Sequence, residues 1–74
     1  MIVTVNLMMK SGAALTVYFE TSEKDVAKIF ESFERKAGLK FPFLGNKEKT
    51  KYTFVDLNEV VVIEIYEENT DGTN

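Results

Sequence analysis

The chain of 74 residues contains no cysteine and no histidine. Without cysteine there is no disulfide and no thiolate metal site, and without histidine the commonest metal ligand and the usual general base are both missing. A chain of this length forms one domain, and domains below about 80 residues often gain stability from disulfides, metals or association. Self-association is the support that remains open to it.

Long apolar runs are also missing, since every run is far shorter than the roughly twenty residues that span a bilayer. The opening MIVTVNLMMK has no charged n-region and no cleavage site, so no signal peptide is expected. The hydrophobic content of 45% indicates a folded protein. We therefore expect a cytoplasmic protein without a membrane partner.

Charge of one sign is concentrated in a single segment. The net charge is −3, yet residues 35–51 carry +5 and the remainder −8. This asymmetry predicts a dipolar molecule. The basic residues of the segment are Arg35, Lys36, Lys40, Lys47, Lys49 and Lys51.

The first third of the chain predicts a β-hairpin. Residues 2–9 and 14–20 alternate in polarity with a period of two, which is typical of β-strands. Between them, KSGA contains Gly12, which can adopt positive φ in a tight turn.

A helical period follows in TSEKDVAKIFESFERKAG. Ser22 with Asp25 three residues later resembles a capping box, and Gly38 suits the position after the last turn. These signals predict one helix with one apolar face. The members of its stripe are Val26, Ile29, Phe30, Phe33 and Ala37.

The remaining sequence predicts a loop and two strands. Pro42 and Gly45 interrupt regular structure between about residues 40 and 49, and TKYTFVDL and EVVVIEIYEE follow as strands joined near Asp56–Asn58. Residues 1–66 are thus predicted to form an α+β domain, ββαββ, with one helix on a four-stranded antiparallel sheet. The alternative is a small barrel with an inserted helix. Residues 67–74 predict a frayed polar tail.

Catalytic signatures are missing. Ser11, Ser22 and Ser32 have no histidine to activate them, and the chain has no phosphate-binding loop, dinucleotide fingerprint or calcium loop. We expect no enzymatic activity, no cofactor and no metal site.

The first candidate site is a basic-aromatic patch in and around LKFPFLGNKEKTKYTF. Lysines can contact phosphates while rings stack on bases, which predicts a nucleic-acid or phosphate-ligand site. Alternatively, the rings fasten an ordinary loop to the core and the lysines protect a sheet edge, a reading that the pI of about 4.9 favours. The patch comprises Arg35, Lys36, Lys40, Phe41, Phe43, Lys47, Lys49, Lys51 and Tyr52.

The second candidate is the sheet face that the helix leaves uncovered. If Val61, Ile63 and Ile65 face the helix, the alternate residues of that strand face away and leave a semi-apolar surface, which usually marks an interface. Barrel closure would bury the same side chains. The candidate interface comprises Met8, Tyr18, Val60, Val62 and Tyr66.

MIVTVNLMMKSGAALTVYFE, followed by a helix and KYTFVDLNEVVVIEI, resembles small uncharacterised accessory proteins of Gram-positive bacteria and their phages. The resemblance implies a protein that acts by binding, and it carries over no residue's role. The leading hypothesis is a binding module that self-associates or docks on a protein partner through its sheet. The alternative is a nucleic-acid or phosphate-ligand binder that uses residues 35–54.

Overall fold

The computed structural model describes residues 1–36 and 38–67, with the side chain of Glu67 excepted. It contains five strands, one α-helix and one 3₁₀ turn, which confirms the α+β class and corrects the predicted strand count from four to five. The elements are β1 (Ile2–Met9), β2 (Ala14–Glu20), α1 (Val26–Arg35), β3 (Lys40–Leu44), β4 (Tyr52–Asp56), the 3₁₀ turn (Leu57–Glu59) and β5 (Val60–Glu67). The predicted tail began at Glu67, but Glu67 belongs to β5, and residues 68–74 lie outside the described residues.

The predicted first hairpin is confirmed. β1 and β2 pair in register from Ile2 opposite Glu20 to Met8 opposite Ala14. Gly12 has a φ of 91° in the turn, and its N–H donates to the carbonyl of Met9 at 2.9 Å. The glycine is therefore required for its backbone conformation, since side chains strongly disfavour this region.

The helix begins three residues later than the predicted capping box implied. Asp25 is the N-cap, and its carboxylate accepts from the N–H of Ala27 at 3.0 Å. Ser22 is therefore not the cap. Ile29 and Phe33 from the predicted stripe are buried, Phe30 is 38% exposed, and Ala37 lies outside the described residues.

The segment predicted as a loop contains strand β3. Lys40–Leu44 pairs antiparallel with β4 along its whole length, so the expected interruption at Pro42 is wrong. Proline removes one ladder donor and is tolerated where a strand is not paired on both sides. The recorded pairing of β3 with β2 is Tyr18 opposite Leu44, so Pro42 lies beyond the doubly paired part of the strand.

The predicted second hairpin does not form, because β5 pairs with β1 instead of β4. Asp56 caps the 3₁₀ turn by accepting from the N–H of Asn58 at 2.9 Å, and Leu57 is buried in the core. The chain therefore crosses the core at this point instead of reversing. The resulting sheet is antiparallel throughout, with strand order β4-β3-β2-β1-β5.

This connection requires a strongly coiled sheet. β4 ends at Asp56 beside Lys40, whereas β5 starts at Val60 beside Met9, at the diagonally opposite corner. In a flat sheet those corners would lie about 19 Å apart across the strands and about 30 Å apart along them. The chain from Asp56 to Val60 reaches at most about 14 Å. The sheet therefore folds over on itself, as in the barrel alternative, although β4 and β5 are not hydrogen-bonded neighbours in residues 1–36 and 38–67.

Four of the six phenylalanines form the centre of the core. Phe19, Phe33, Phe41 and Phe43 pack with ring centroids 4.7–5.6 Å apart in edge or tilted arrangements. Such aromatic pairs contribute about 0.5–1.5 kcal/mol beyond area burial. Phe33 touches the other three rings, so α1 is anchored to the inner face of the sheet mainly through this residue.

Candidate functional site

The outer face of the sheet, which points away from the core, carries a row of side chains across all five strands. Directly paired residues of neighbouring strands share a face. The pairings place Tyr66, Thr4, Tyr18, Leu44 and Tyr52 side by side in that order. This tyrosine row contains every tyrosine of the chain.

The row is exposed at both of its ends. Tyr66 is 50% exposed and Tyr52 is 63% exposed, whereas Leu44 is buried between its neighbours. Phe54 lies two residues beyond Tyr52 on the same face, is 68% exposed, and is paired with the exposed Pro42. The two rings of β4 are therefore more exposed than Tyr18 and Tyr66 on the other half of the outer face.

The predicted sheet-face residues lie on this outer surface with one exception. Met8 and Val62 are opposite each other and are 45% and 43% exposed. Val60 instead packs against the core, and Val61 is 57% exposed. The expected orientation of these two valines is wrong because a β-bulge between Met8 and Met9 shifts the register, so that Val60 lies opposite the inward-facing Met9.

The basic-aromatic patch is divided between core and surface. Phe41 and Phe43 are 8% and 0% exposed on the inner side of β3. They are unavailable for stacking on a ligand. Tyr52 alone of the three predicted rings lies on the surface, in the tyrosine row.

The predicted basic residues are also divided, into two groups at opposite ends of the β3–β4 hairpin. Arg35, Lys36 and Lys40 lie where β3 begins, and the lysine loop (residues 45–51) lies where it ends, about 13 Å away for a five-residue strand. Lys36 lies over the ring of Phe41 with its Nζ 5.6 Å from the centroid. The structure therefore does not assemble one continuous basic patch.

The lysine loop is organised by Asn46. Its side-chain oxygen accepts from the N–H groups of Thr50 at 3.0 Å and Lys51 at 3.3 Å, and its amide donates to the hydroxyl of Thr50 at 2.7 Å. A Cβ on Gly45 would lie 2.8 Å from Thr53 Oγ1 and Lys51 Cγ. Glycine is therefore needed for this close approach.

The lysine loop contacts the outer face beside Tyr18. Lys47 Nζ lies 5.7 Å from the centroid of the Tyr18 ring. Lys49 forms an ion pair and hydrogen bond with Glu20, which lowers the pKa of that carboxyl from its ordinary value of 4.5. Two predicted sites, the sheet face and the basic-aromatic patch, therefore meet at Tyr18, Leu44 and Tyr52.

Among the described residues, the outer face has two shallow depressions that concern the candidate sites. The larger, about 290 Å³, lies over β5, β1 and β2, and in it the hydroxyl of Thr16 donates to Asn6 Oδ1 at 2.9 Å. The smaller, about 200 Å³, lies where β2 and β3 diverge and is lined by Tyr18, Pro42 and Tyr52 among others. In the described part of the chain, no three acidic side chains converge in a manner that would hold a metal ion.

Sequence reasoning missed Pro42, Leu44 and Phe54 as outer-face residues. The signal for them was the alternation of KFPFL and YTFV, which places every second residue on the opposite side from the phenylalanines of β3. Among the described residues, no helix is both long enough and apolar enough to span a membrane. No family model matches the chain, and neither curated proteins nor solved structures contain a significant match.

Proposed function

We propose that this protein is a small, non-enzymatic binding module that self-associates, docks on a protein partner, or does both, through the outer face of its sheet. The observation that carries the proposal is the tyrosine row together with Phe54. Tyrosine and phenylalanine are enriched in protein interfaces because they bury large areas with few rotatable bonds. Several exposed aromatic rings on one face of a sheet usually mark an interaction surface.

The surroundings of these rings resemble the rim of an interface. Lys47 and Lys49 border Tyr18 on one side, and Glu64, on the outer face, accepts weakly from the hydroxyl of Tyr66 at 3.4 Å. Interfaces commonly combine an apolar centre with a polar, solvated margin. Both signs of charge occur here, which suits a protein surface better than a polyanion.

A role without catalysis is supported by the ionisable groups of the described residues. The buried side chains of the described residues are apolar, and Glu20, whose pKa is lowered by Lys49, is exposed. Active sites usually perturb partly buried groups in a cleft. Together with the resemblance to small accessory proteins of Gram-positive bacteria and their phages, this supports an accessory or inhibitory protein that acts by contact, and our proposal places it in the cytoplasm.

Light scattering across micromolar to millimolar concentrations tests self-association. We expect a mass above the 8.4 kDa of one chain, returning to it when Tyr52→Ser and Phe54→Ser are combined. Leu39→Ser is the matched control, since Leu39 is 61% exposed but lies outside the strands of the sheet. A wild-type mass of 8.4 kDa throughout would exclude self-association and leave docking on a different protein.

A nucleic-acid or phosphate-ligand site is a second candidate, because the exposed Tyr52 directly follows the lysine loop. Binding of single-stranded and duplex DNA and RNA should then weaken steeply with salt. Changing Lys47, Lys49 and Lys51 together to Glu should abolish it. No binding at low salt would eliminate this candidate.

A further inference from the structure

β5 is an open edge of the sheet. Among residues 1–36 and 38–67, its hydrogen-bonded neighbour is β1, and its other side has no paired strand. Natural edge strands are usually short or carry lysine, proline or a bulge, because an unprotected edge pairs with other chains. β5 has eight residues, VVVIEIYE, without lysine or proline. Its bulge lies at its start, where Met9 pairs with Val60 and Met8 pairs with Val62.

The opposite edge strand, β4, is protected by its short length and by a neighbouring lysine. β4 has five residues, and the lysine loop directly precedes it. Its flanking Lys51 is exposed. The two edges therefore differ in length and in charge, and β5 is the edge left suitable for pairing.

The side chains of β5 are incompletely covered on both faces. Ile63 and Ile65 point towards the core but are only half-buried. Val62 and Tyr66 on the outer face are 43% and 50% exposed. A strand added beside β5 would cover apolar area on both faces while satisfying the free backbone groups.

The charge of β5 indicates the chemistry of such a strand. Its carboxylate residues are Glu64 and Glu67, and it carries no lysine or arginine. Glu64 forms no ion pair among the described residues, whereas the preceding Glu59 is paired with Lys10 at 3.7 Å. A second copy of β5 would bring further glutamates to the same edge, and like charges on neighbouring strands are destabilising. A strand with lysine or arginine is complementary.

We propose that β5 accepts an extended segment of a partner protein as a sixth strand. The segment carries basic residues on the face shared with Glu64 and β-branched residues on the face shared with Ile63 and Ile65. This inference rests on the proposed protein-binding function and names its partner chemistry. The edge of β5 is a different surface from that of Tyr52 and Phe54. The peptide titration can therefore fail while the proposed interface around Tyr52 and Phe54 stands, and the reverse also holds.

The test titrates the ¹⁵N-labelled protein with the capped peptide KVTVKVT. Its lysines and valines fall on opposite faces of an extended chain. We expect chemical-shift changes and slowed amide exchange within residues 61–66. The acidic peptide EVTVEVT should not bind. A version of KVTVKVT in which alternate backbone nitrogens are methylated keeps its charge but loses the N–H donors that face β5. It should therefore not bind either.

Glu64→Lys should weaken binding of KVTVKVT about 3- to 10-fold, since it replaces one exposed attraction by a repulsion. Glu31→Lys makes the same change on the exposed side of α1 and should alter affinity less than about twofold. Equal binding of the methylated peptide would show simple ionic attraction and overturn the proposal without requiring any variant. If amide exchange in β5 slows as the protein concentration rises without any peptide, the edge pairs with a second copy of this chain. That result would also contradict the proposal.

Discussion

Phe33→Ala tests whether one aromatic residue anchors the helix to the sheet. Phe33 is 2% exposed, and its ring contacts Phe19, Phe41 and Phe43 at centroid distances of 5.1–5.3 Å. Phenylalanine-to-alanine substitutions in cores cost about 3–5 kcal/mol. A domain of 74 residues has a total stability of about 4–11 kcal/mol. The substitution should therefore remove a large part of the free energy of unfolding.

Phe30→Ala is the matched control, because it makes the same change in the same helix at a ring that is 38% exposed. It should cost about 1 kcal/mol or less, since partial exposure and the better helix propensity of alanine both reduce the loss. Urea unfolding followed by far-ultraviolet circular dichroism measures both variants. If Phe33→Ala leaves no folded protein to measure, Phe33→Leu should still cost about 1–2 kcal/mol. Equal losses for positions 30 and 33 would refute this account of the core.

Three further variants test local features. Gly12→Ala should lower the free energy of unfolding by about 1 kcal/mol, because φ is 91° at this position although nothing lies within 4 Å of an added Cβ. Gly12→Asn should cost less, and equal costs for the two variants would contradict a conformational cause. Asn46→Ala should lower the free energy of unfolding by about 1–2 kcal/mol, because it removes the side-chain hydrogen bonds that organise the lysine loop. The control Asn58→Ala should cost less, and a similar urea midpoint for both variants would contradict the role of Asn46 in the loop. Glu20→Gln should lower stability in full above the unfolded pKa of Glu20, because Lys49 depresses the folded pKa of that carboxyl. The difference from wild type should shrink below the unfolded pKa and vanish as the pH falls through the folded pKa, so a pH-independent difference would contradict this cause.

The hairpin and the helix were predictable because their signals are local. A period of two around Gly12 and a period of 3.6 between Asp25 and Gly38 each occur within about twenty residues. The N-cap was misplaced, because Ser22 and Asp25 are both good N-cap residues. Asp25 is the one whose carboxylate reaches a helical N–H.

The strand order was not predictable, because it depends on contacts between distant residues. Asp56 and Asn58 favour a turn in either a hairpin or a crossover. Leu57 decides between them by entering the core, and β5 then pairs with β1 at the far edge. The bulge at Met8 and Met9 has no sequence signal of its own, and it alone reverses the orientation of Val60.

The stretch LKFPFLGNKEKTKYTF shows why the candidate site was only partly predictable. Composition presents it as one basic-aromatic patch, but alternation in β3 sends Phe41 and Phe43 inward. Lys47, Lys49 and Lys51 are then separated from those rings in the lysine loop, which contacts Tyr18 through Lys47, whereas Lys40 begins β3. Because β2 meets β3 where Tyr18 lies opposite Leu44, that loop adjoins the predicted sheet face. One long-range pairing thus brings two candidate sites that are separate in sequence onto a single surface, which we propose binds a protein partner.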